Sequence, residues 1–195
     1  MRQQLSFYSV DARPPAVADL AGMLCGPGQT VRFGRGGSAR LSLVVADRWR
    51  VVALAAECAA RGVLAELAVS GDEDRPLLRT AFRADLAELA AAWTRGAVKA
   101  VPAGYVPDGP ALRLWAQAAG RCDGRGYLLG LDPHAPDTHE PLAAALARAG
   151  LTPVLLGPRG GGPAVRITGR RRLGRLVELV GAAPPGAAPG VWPLD

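Results

Sequence analysis

Residues suited to metal chemistry concentrate between Asp132 and Glu140 of this 195-residue chain. His134 and His139 are the only two histidines, and they stand there among acidic residues, as in a metal-binding cluster. However, their five-residue spacing places them on different faces of a helix, and the prolines of the segment indicate a loop that leads into one. We therefore interpret the cluster as structural and predict no metal and no other cofactor.

Other enzyme signatures are missing from the sequence. The chain has no Gly-x-x-x-x-Gly-Lys loop, no Gly-x-Ser-x-Gly elbow and no Gly-x-Gly-x-x-Gly segment that opens a helix after a strand. The sequence therefore lacks the motifs that would indicate a nucleotide hydrolase, an α/β-hydrolase or a Rossmann dehydrogenase.

The composition predicts a cytoplasmic protein. No stretch approaches the roughly 20 apolar residues of a membrane span, and the N-terminus lacks an apolar segment of signal-peptide length. The cysteines Cys25, Cys58 and Cys122 are odd in number and far apart, which favours free thiols. The 23 basic and 17 acidic residues leave a net charge of +6, and all basic residues except Lys99 are arginines. Such arginine usage indicates a GC-rich bacterial genome, so the positions of the arginines matter more than their number.

The elements that position these side chains form an internal repeat with a period of about 87 residues. Leu54 and Gly62 fall opposite Leu142 and Gly150. After each glycine comes an apolar strand, a turn, a second strand that carries an arginine, and an amphipathic helix. The upstream parts also match, although the second copy shows only one clear strand after its first helix. Its first hairpin therefore looks shortened.

Each copy is predicted to run helix, hairpin, helix, hairpin, helix. The predicted segments are an N-terminal strand or extension (1–14), a first unit (15–96), a linker (97–109), a second unit (110–181) and an irregular tail (182–195). Two such units in one chain predict a pseudo-two-fold monomer of the α/β (α+β) class.

The first helices of the two units contain a recognisable motif. The first reads Leu20-Ala-Gly-Met-Leu-Cys-Gly-Pro-Gly28, and the second reads Ala116-Gln-Ala-Ala-Gly-Arg-Cys-Asp-Gly124. With the αββαββα order, they resemble the LAGLIDADG homing endonucleases over about residues 15–181. The chain is also similar to the degenerate LAGLIDADG domain of the WhiA sporulation regulators, without the helix-turn-helix. The resemblance implies saddle-shaped antiparallel sheets that bind double-stranded DNA.

The motif helices must approach each other closely. Helices that meet at a pseudo-two-fold axis need small contact residues, and the sequence offers Gly22, Gly26, Ala118 and Ala119.

The resemblance also implies a catalytic position, namely the acidic residue before the last glycine of each motif. In the family's nucleases the two carboxylates hold divalent cations against the scissile phosphates. Here these positions are Pro27 and Asp123. Because proline cannot bind a metal, we predict that strand cleavage has been lost, with Asp123 as the residual candidate catalytic residue. A metal-dependent endonuclease remains an alternative if a second carboxylate comes from elsewhere.

Arginines are the candidate DNA contacts. Strand alternation predicts that Val31 and Phe33 face the helices, which leaves Arg32 and Arg40 on the open face. Arg79 takes the place of Arg166 in the other unit. The predicted nucleic-acid-binding residues are Arg32, Arg35, Arg40, Arg79, Arg125, Arg159 and Arg166.

We thus interpret the chain as a non-catalytic DNA-binding protein, with transcriptional regulation as its role. A protein-interaction module on the same fold is the alternative, favoured by the shortened hairpin and the modest charge.

Overall fold

The chain folds as two halves, each with a sheet and its helices. The computed structural model describes residues 9–10, 13–71, 74–160 and 162–193; most of the predicted extension 1–14 and the end of the predicted tail lie outside the described residues. The first half contains a 3-10 turn (Val17–Leu20), α1 (Ala21–Cys25), β1 (Gln29–Phe33), β2 (Ser38–Val44), α2 (Arg48–Ala60), β3 (Ala65–Val69), β4 (Pro76–Thr80) and α3 (Ala87–Ala92). The second half contains α4 (Gly109–Ala119), β7 (Gly120–Cys122), β8 (Tyr127–Gly130), α5 (His139–Arg148), β9 (Val154–Leu156), β10 (Ala164–Ile167) and α6 (Arg170–Val180). A small hairpin of β5 (Thr94–Arg95) and β6 (Val98–Lys99) joins them.

The two sheets have the same topology. Their strand orders are β1-β2-β4-β3 and β7-β8-β10-β9, and all neighbours are antiparallel. This confirms the predicted fold class of two tandem αββαββα units. One face of each sheet joins a hydrophobic core with the helices, and the other face is open. Among the described residues, no helix has the length and apolar content needed to cross a membrane.

The register of the first hairpin corrects one sequence prediction. In β2 the side chains alternate between buried and half-buried as expected, with Leu41 and Leu43 in the core. In β1, however, Val31 pairs with Arg40 and Phe33 pairs with Ser38. Directly paired residues lie on the same face of a sheet, so both apolar side chains point to the open face.

Arg32 lies on the helix-facing side, because it pairs with buried Ala39. Its guanidinium packs beside Gly36 in the connecting turn. Four residues, 34–37, separate the paired ends of the hairpin, and this spacing sets the register. The sequence prediction had assigned the faces of β1 from hydrophobicity alone.

A second correction concerns the end of α4. The helix begins at an Asp108 N-cap, whose carboxylate accepts a hydrogen bond from the Ala111 N–H at 3.1 Å, with Pro110 in the first turn. It ends at Ala119, and the next three residues form β7. The sequence had extended this helix to about Arg121 and had missed the strand. The second unit therefore has its complete first hairpin, although its strands are shorter than those of the first unit.

The two motif helices, α1 and α4, contact each other through small residues. A methyl group on Gly22 would collide with the Ala111 carbonyl and approach the Leu114 Cβ to 2.8 Å. One turn later, a methyl group on Gly26 would lie 3.4 Å from the Trp115 ring and 3.6 Å from the Ala119 Cβ. Ala118 is also buried.

An ion network ties the outer sides of these helices to α2. The buried Asp19 carboxylate pairs with Arg61 at 3.0 Å, and Arg61 also pairs with Glu57 at 2.7 Å. Glu57 in turn accepts hydrogen bonds from Arg113 at 2.8 Å and from Gln117 at 3.0 Å. The network links the first half of the chain to the second.

The described part of the predicted tail contains no helix or strand, and it is docked. The indole N–H of Trp192 donates to the Gly181 carbonyl at 2.9 Å, and the Tyr127 hydroxyl donates to the Val191 carbonyl at 3.2 Å. The tail therefore covers part of the second unit.

Gly22→Ala should destabilise the protein. Alanine favours helix formation over glycine by about 1 kcal/mol, but the collision with the rigid Ala111 backbone outweighs this gain, so we expect a net loss of about 1–2 kcal/mol in urea unfolding. The control is Gly157→Ala, where an added methyl group meets no atom within 4 Å. Equal stability of the two variants would contradict the close helix contact.

The ion network predicts a pH dependence of stability. Burial alone would raise the pKa of Glu57, but hydrogen bonds from Arg113, Arg61 and Gln117 outweigh it and hold the pKa below its ordinary value. Glu57 therefore stabilises the fold fully above its unfolded pKa of about 4.3, and this contribution disappears as the pH falls further through the folded pKa.

Urea unfolding between about pH 5 and pH 3 should thus lose stability less steeply in Glu57→Gln than in the unmodified protein. Glu88→Gln, at an exposed position of α3, is the control and should keep the original slope. The same slope in all three proteins would argue against the network.

Candidate nucleic-acid interface

The carboxyl end of α1 is closed by a buried lysine. The Lys99 ammonium donates to the carbonyls of Gly26 at 2.6 Å and Gly28 at 2.8 Å, and it pairs with the Asp132 carboxylate at 3.0 Å. The side chains of Lys99 and Asp132 are 7% and 2% exposed. The Gln29 amide donates to the same carboxylate. Burial lowers the pKa of Lys99, and Asp132 opposes that shift.

The carboxyl end of α4 is closed in the same way by Arg50. Its guanidinium donates to the carbonyls of Gln117 at 2.8 Å and Gly120 at 2.7 Å, and more weakly to that of Ala116 at 3.3 Å. Asp47 pairs with the guanidinium at 3.0 Å. Arg50 thus lies on the last carbonyls of α4, and Lys99 lies on two carbonyls just beyond the end of α1; at both places the helix dipole favours positive charge.

Strand pairing identifies which residues stand in equivalent places at the two helix ends. Arg79 pairs with Ser42, which pairs with Gln29; Arg166 pairs with Leu128, which pairs with Arg121. Since Arg79 and Arg166 are equivalent, Gln29 matches Arg121. Two residues before Gln29 and Arg121 in their units stand Pro27 and Ala119, which are therefore equivalent as well.

This corrects the place of Asp123. It lies four residues beyond the end of α4, in the turn between β7 and β8. There its carboxylate accepts hydrogen bonds from the Arg125 backbone N–H at 3.0 Å and from the Arg166 guanidinium at 2.7 Å. The sequence prediction followed the Asp-Gly match and so displaced the motif by four residues.

The helix ends do not fit a divalent metal. Pro27 and Ala119 have no side-chain oxygen, and hard cations need oxygen ligands. Cys25 is fully buried beside the Tyr105 hydroxyl, 3.5 Å away, and burial raises the pKa of its thiol to about 12. Among the described residues, no three His, Cys, Asp or Glu side chains are grouped to hold a metal ion. The described residues at these helix ends therefore offer no ligand set for a divalent metal.

The cluster of 132–140 is organised around Asp132. Its carboxylate accepts a hydrogen bond from the His134 backbone N–H at 2.9 Å, and its carbonyl lies 2.7 Å from Nε2 of His139. These contacts shape the loop before α5 and present the other carboxylate oxygen to Lys99.

Of the seven predicted DNA-binding arginines, three are engaged within the protein on the open faces. Arg79 lies 3.6 Å from Glu66, and Arg166 is bonded to Asp123. The Arg40 guanidinium stacks on the Phe82 ring, 5.0 Å from its centroid.

Three other predicted arginines are exposed at hairpin tips. Arg35 lies between β1 and β2, Arg125 between β7 and β8, and Arg159 between β9 and β10. None has an acidic partner within the described part of the chain. Arg35 has a φ of 56°, the left-handed region that costs a non-glycine residue about 1 kcal/mol. The turn therefore holds this arginine outward at some cost.

The buried cations at the helix ends were not predicted from the sequence. Lys99 falls in the predicted linker, and the partners of Lys99 and Arg50 are distant along the chain. One signal was available, because Lys99 is the only lysine of the chain.

The Lys99–Asp132 pair yields a stability prediction. Lys99→Met leaves a buried carboxylate without its counter-ion and should cost about 3–5 kcal/mol of unfolding free energy in urea. Adding Asp132→Asn removes the unpaired charge and should restore part of the loss. A loss in Lys99→Met no larger than the roughly 0.5 kcal/mol of ordinary surface substitutions would show that the pair does not hold the helix end.

Comparisons with known proteins support the fold. No family model and no curated protein matches the chain. Among solved structures, it is similar to the homing endonuclease I-WcaI bound to its DNA recognition sequence, with a TM-score of 0.59 and 12% identity over 84% of this chain and 79% of that one. At this identity the likeness shows a homing-endonuclease fold.

Proposed function

We propose that the protein binds double-stranded DNA through the arginines at the hairpin tips of its two sheets and does not cleave it. The observation that carries the proposal is the position of Arg35, Arg125 and Arg159 at three exposed hairpin tips of a homing-endonuclease fold. Arg125 and Arg159 lie at opposite ends of the second sheet, and Arg35 lies at the end of the first sheet that is equivalent to Arg125. Arginines in such places can contact successive phosphates along a duplex.

The proposal that cleavage has been lost is supported by the chemistry of the helix ends. In-line phosphodiester cleavage with two metals needs carboxylates that hold the cations. The equivalent positions are Pro27 and Ala119, and the nearby Asp132 is neutralised by Lys99. A divalent cation beside the Lys99 ammonium would meet repulsion rather than a ligand.

Further parts of the proposal follow the sequence resemblance. We infer a monomer that acts in the cytoplasm as a transcriptional regulator, in line with the similarity to the WhiA domain. A protein-interaction module is the second candidate, and it is favoured by the exposed apolar side chains of the first sheet, including Val31 and Phe33. Binding of a protein through these groups would depend little on salt, whereas DNA binding would depend on it strongly.

The first test is DNA binding as a function of salt. Fluorescence anisotropy with a labelled random duplex should show affinity that falls steeply between about 50 and 200 mM salt. A variant with Arg35→Ala, Arg125→Ala and Arg159→Ala should bind more weakly, and the slope of log K against log salt should become shallower by about 2.7, or about 0.9 per lost phosphate contact.

The matched control also removes three positive charges, but from a helix instead of the hairpin tips. Arg170, Arg171 and Arg172 are exposed at the start of α6, and their replacement by alanine should leave the slope nearly unchanged. An equal loss in both triple variants would contradict binding through the hairpin tips, and no binding by the unmodified protein at low salt would refute the proposed function.

The second test is cleavage. A supercoiled plasmid incubated with the protein and Mg²⁺ should remain intact. Nicking that depends on Mg²⁺ and is abolished by Asp123→Asn would instead establish a residual endonuclease.

A further inference from the structure

The open face of the first sheet carries an aromatic patch, which consists of Phe33, Phe82, Val31 and Arg40. The two phenylalanine rings lie 5.4 Å apart between centroids at an angle of 45°. Phe33 is 66% exposed, Val31 44% and Phe82 42%. Val31 pairs directly with Arg40, whose guanidinium stacks on Phe82. The patch is thus a surface of ring faces with one cation.

Duplex DNA offers few groups that could contact this patch favourably. Phenylalanine cannot hydrogen-bond to phosphates or base edges, and the thymine methyl group is its main partner in the major groove. The flat faces of the bases are stacked inside a duplex and are not available. The exposed parts of the Phe33 and Phe82 rings therefore remain available to a ligand that offers flat, unpaired faces.

We propose that the aromatic patch binds unpaired nucleobases of a single-stranded nucleic acid, which stack on Phe33 and Phe82. This inference rests on the proposed nucleic-acid binding and names a second ligand for it. Every base offers a flat face, and stacking on aromatic side chains is a general way to bind single strands. The Arg40 guanidinium, flat and cationic, suits the same ligand.

The charges around the patch favour a polyanion. Arg35 lies in the turn that directly follows Phe33, and the Arg40 guanidinium lies on the Phe82 ring. Neither of these two arginines has an acidic partner within the described residues. If a second copy of the protein docked through the same face, these arginines would face each other. The repulsion between their like charges disfavours self-association.

The second sheet lacks this chemistry. Its open face carries Arg121, Leu128, Arg166 and Val154 along paired strands, and none of the described residues there is aromatic. Tyr127 is buried on the core side. Stacking is therefore confined to the first unit.

The test compares three labelled ligands of one sequence, namely a DNA single strand of about 16 nucleotides, the matching RNA and the DNA duplex. Phe33→Leu keeps the apolar character but loses the ring, whereas Phe33→Tyr keeps the ring. We expect Phe33→Leu to weaken single-strand binding about 5- to 100-fold and to leave duplex binding unchanged. Phe33→Tyr should bind like the unmodified protein, and so should the control Val52→Ala, at an exposed position of α2. Binding of both single strands, or of one in preference to the other, supports the inference. The preference shows whether the natural ligand is DNA or RNA.

Phe33→Trp supplies a direct readout, because stacking of a base should quench the added indole fluorescence. Duplex binding without single-strand binding would overturn the inference and leave the proposed function standing, whereas failure to bind any of the three ligands would refute both. Equal single-strand affinity of Phe33→Leu and Phe33→Tyr would also overturn it. So would sedimentation as a dimer that Phe33→Leu converts to a monomer, since the patch would then be a protein interface.

Discussion

The close contact of α1 and α4 is the constraint on which the rest of the structure depends. Since Gly22 lets the helices approach until the Ala111 carbonyl fills the place of a side chain, both helix ends are buried together. The last carbonyls of a helix have no partner within it, and an unsatisfied buried carbonyl costs about 1–3 kcal/mol. Carbonyls just beyond a buried helix end have the same need. Arg50 donates to the last carbonyls of α4, and Lys99 donates to those of Gly26 and Gly28 just beyond α1.

These donors also join the two halves. Arg50, with Asp47, comes from the first half and closes the helix of the second, while Asp132 comes from the second half and holds the lysine that closes the helix of the first. Each buried cation also has a carboxylate beside it, and Asp132 opposes the lowering of the Lys99 pKa by burial. The same arrangement places a paired cation, rather than a free carboxylate, beside each of the two helix ends.

The sequence predicted the repeat because Leu54 with Gly62 and Leu142 with Gly150 repeat core and turn positions, which local chemistry dictates. The predicted positions of Phe33 and Asp123 were wrong. The face of Phe33 depends on the length of the turn 34–37, because a shift of one residue reverses the face of every side chain in a strand. The place of Asp123 depends on the three-residue strand β7, which separates it from α4. The helix-end cations were not predicted either: a single lysine among arginines marks Lys99 as unusual, but its carbonyl partners lie more than seventy positions away in the sequence.

The open faces of the two sheets carry different side chains, because the first hairpins of the two units differ in length. In the second unit, Arg166 is held by Asp123 and its neighbour Leu128 is buried, whereas the exposed Arg125 and Arg159 lie at the hairpin tips. In the first unit, the longer hairpin extends Phe33 and Arg35 beyond the core, where nothing in the fold requires a phenylalanine. The Phe33 ring keeps its contact with Phe82 but leaves most of its surface in solvent, beside a cation on a conformationally costly turn. Such a surface is complementary to a ligand that has flat, unpaired faces and negative charge, which is the ligand that we propose for it.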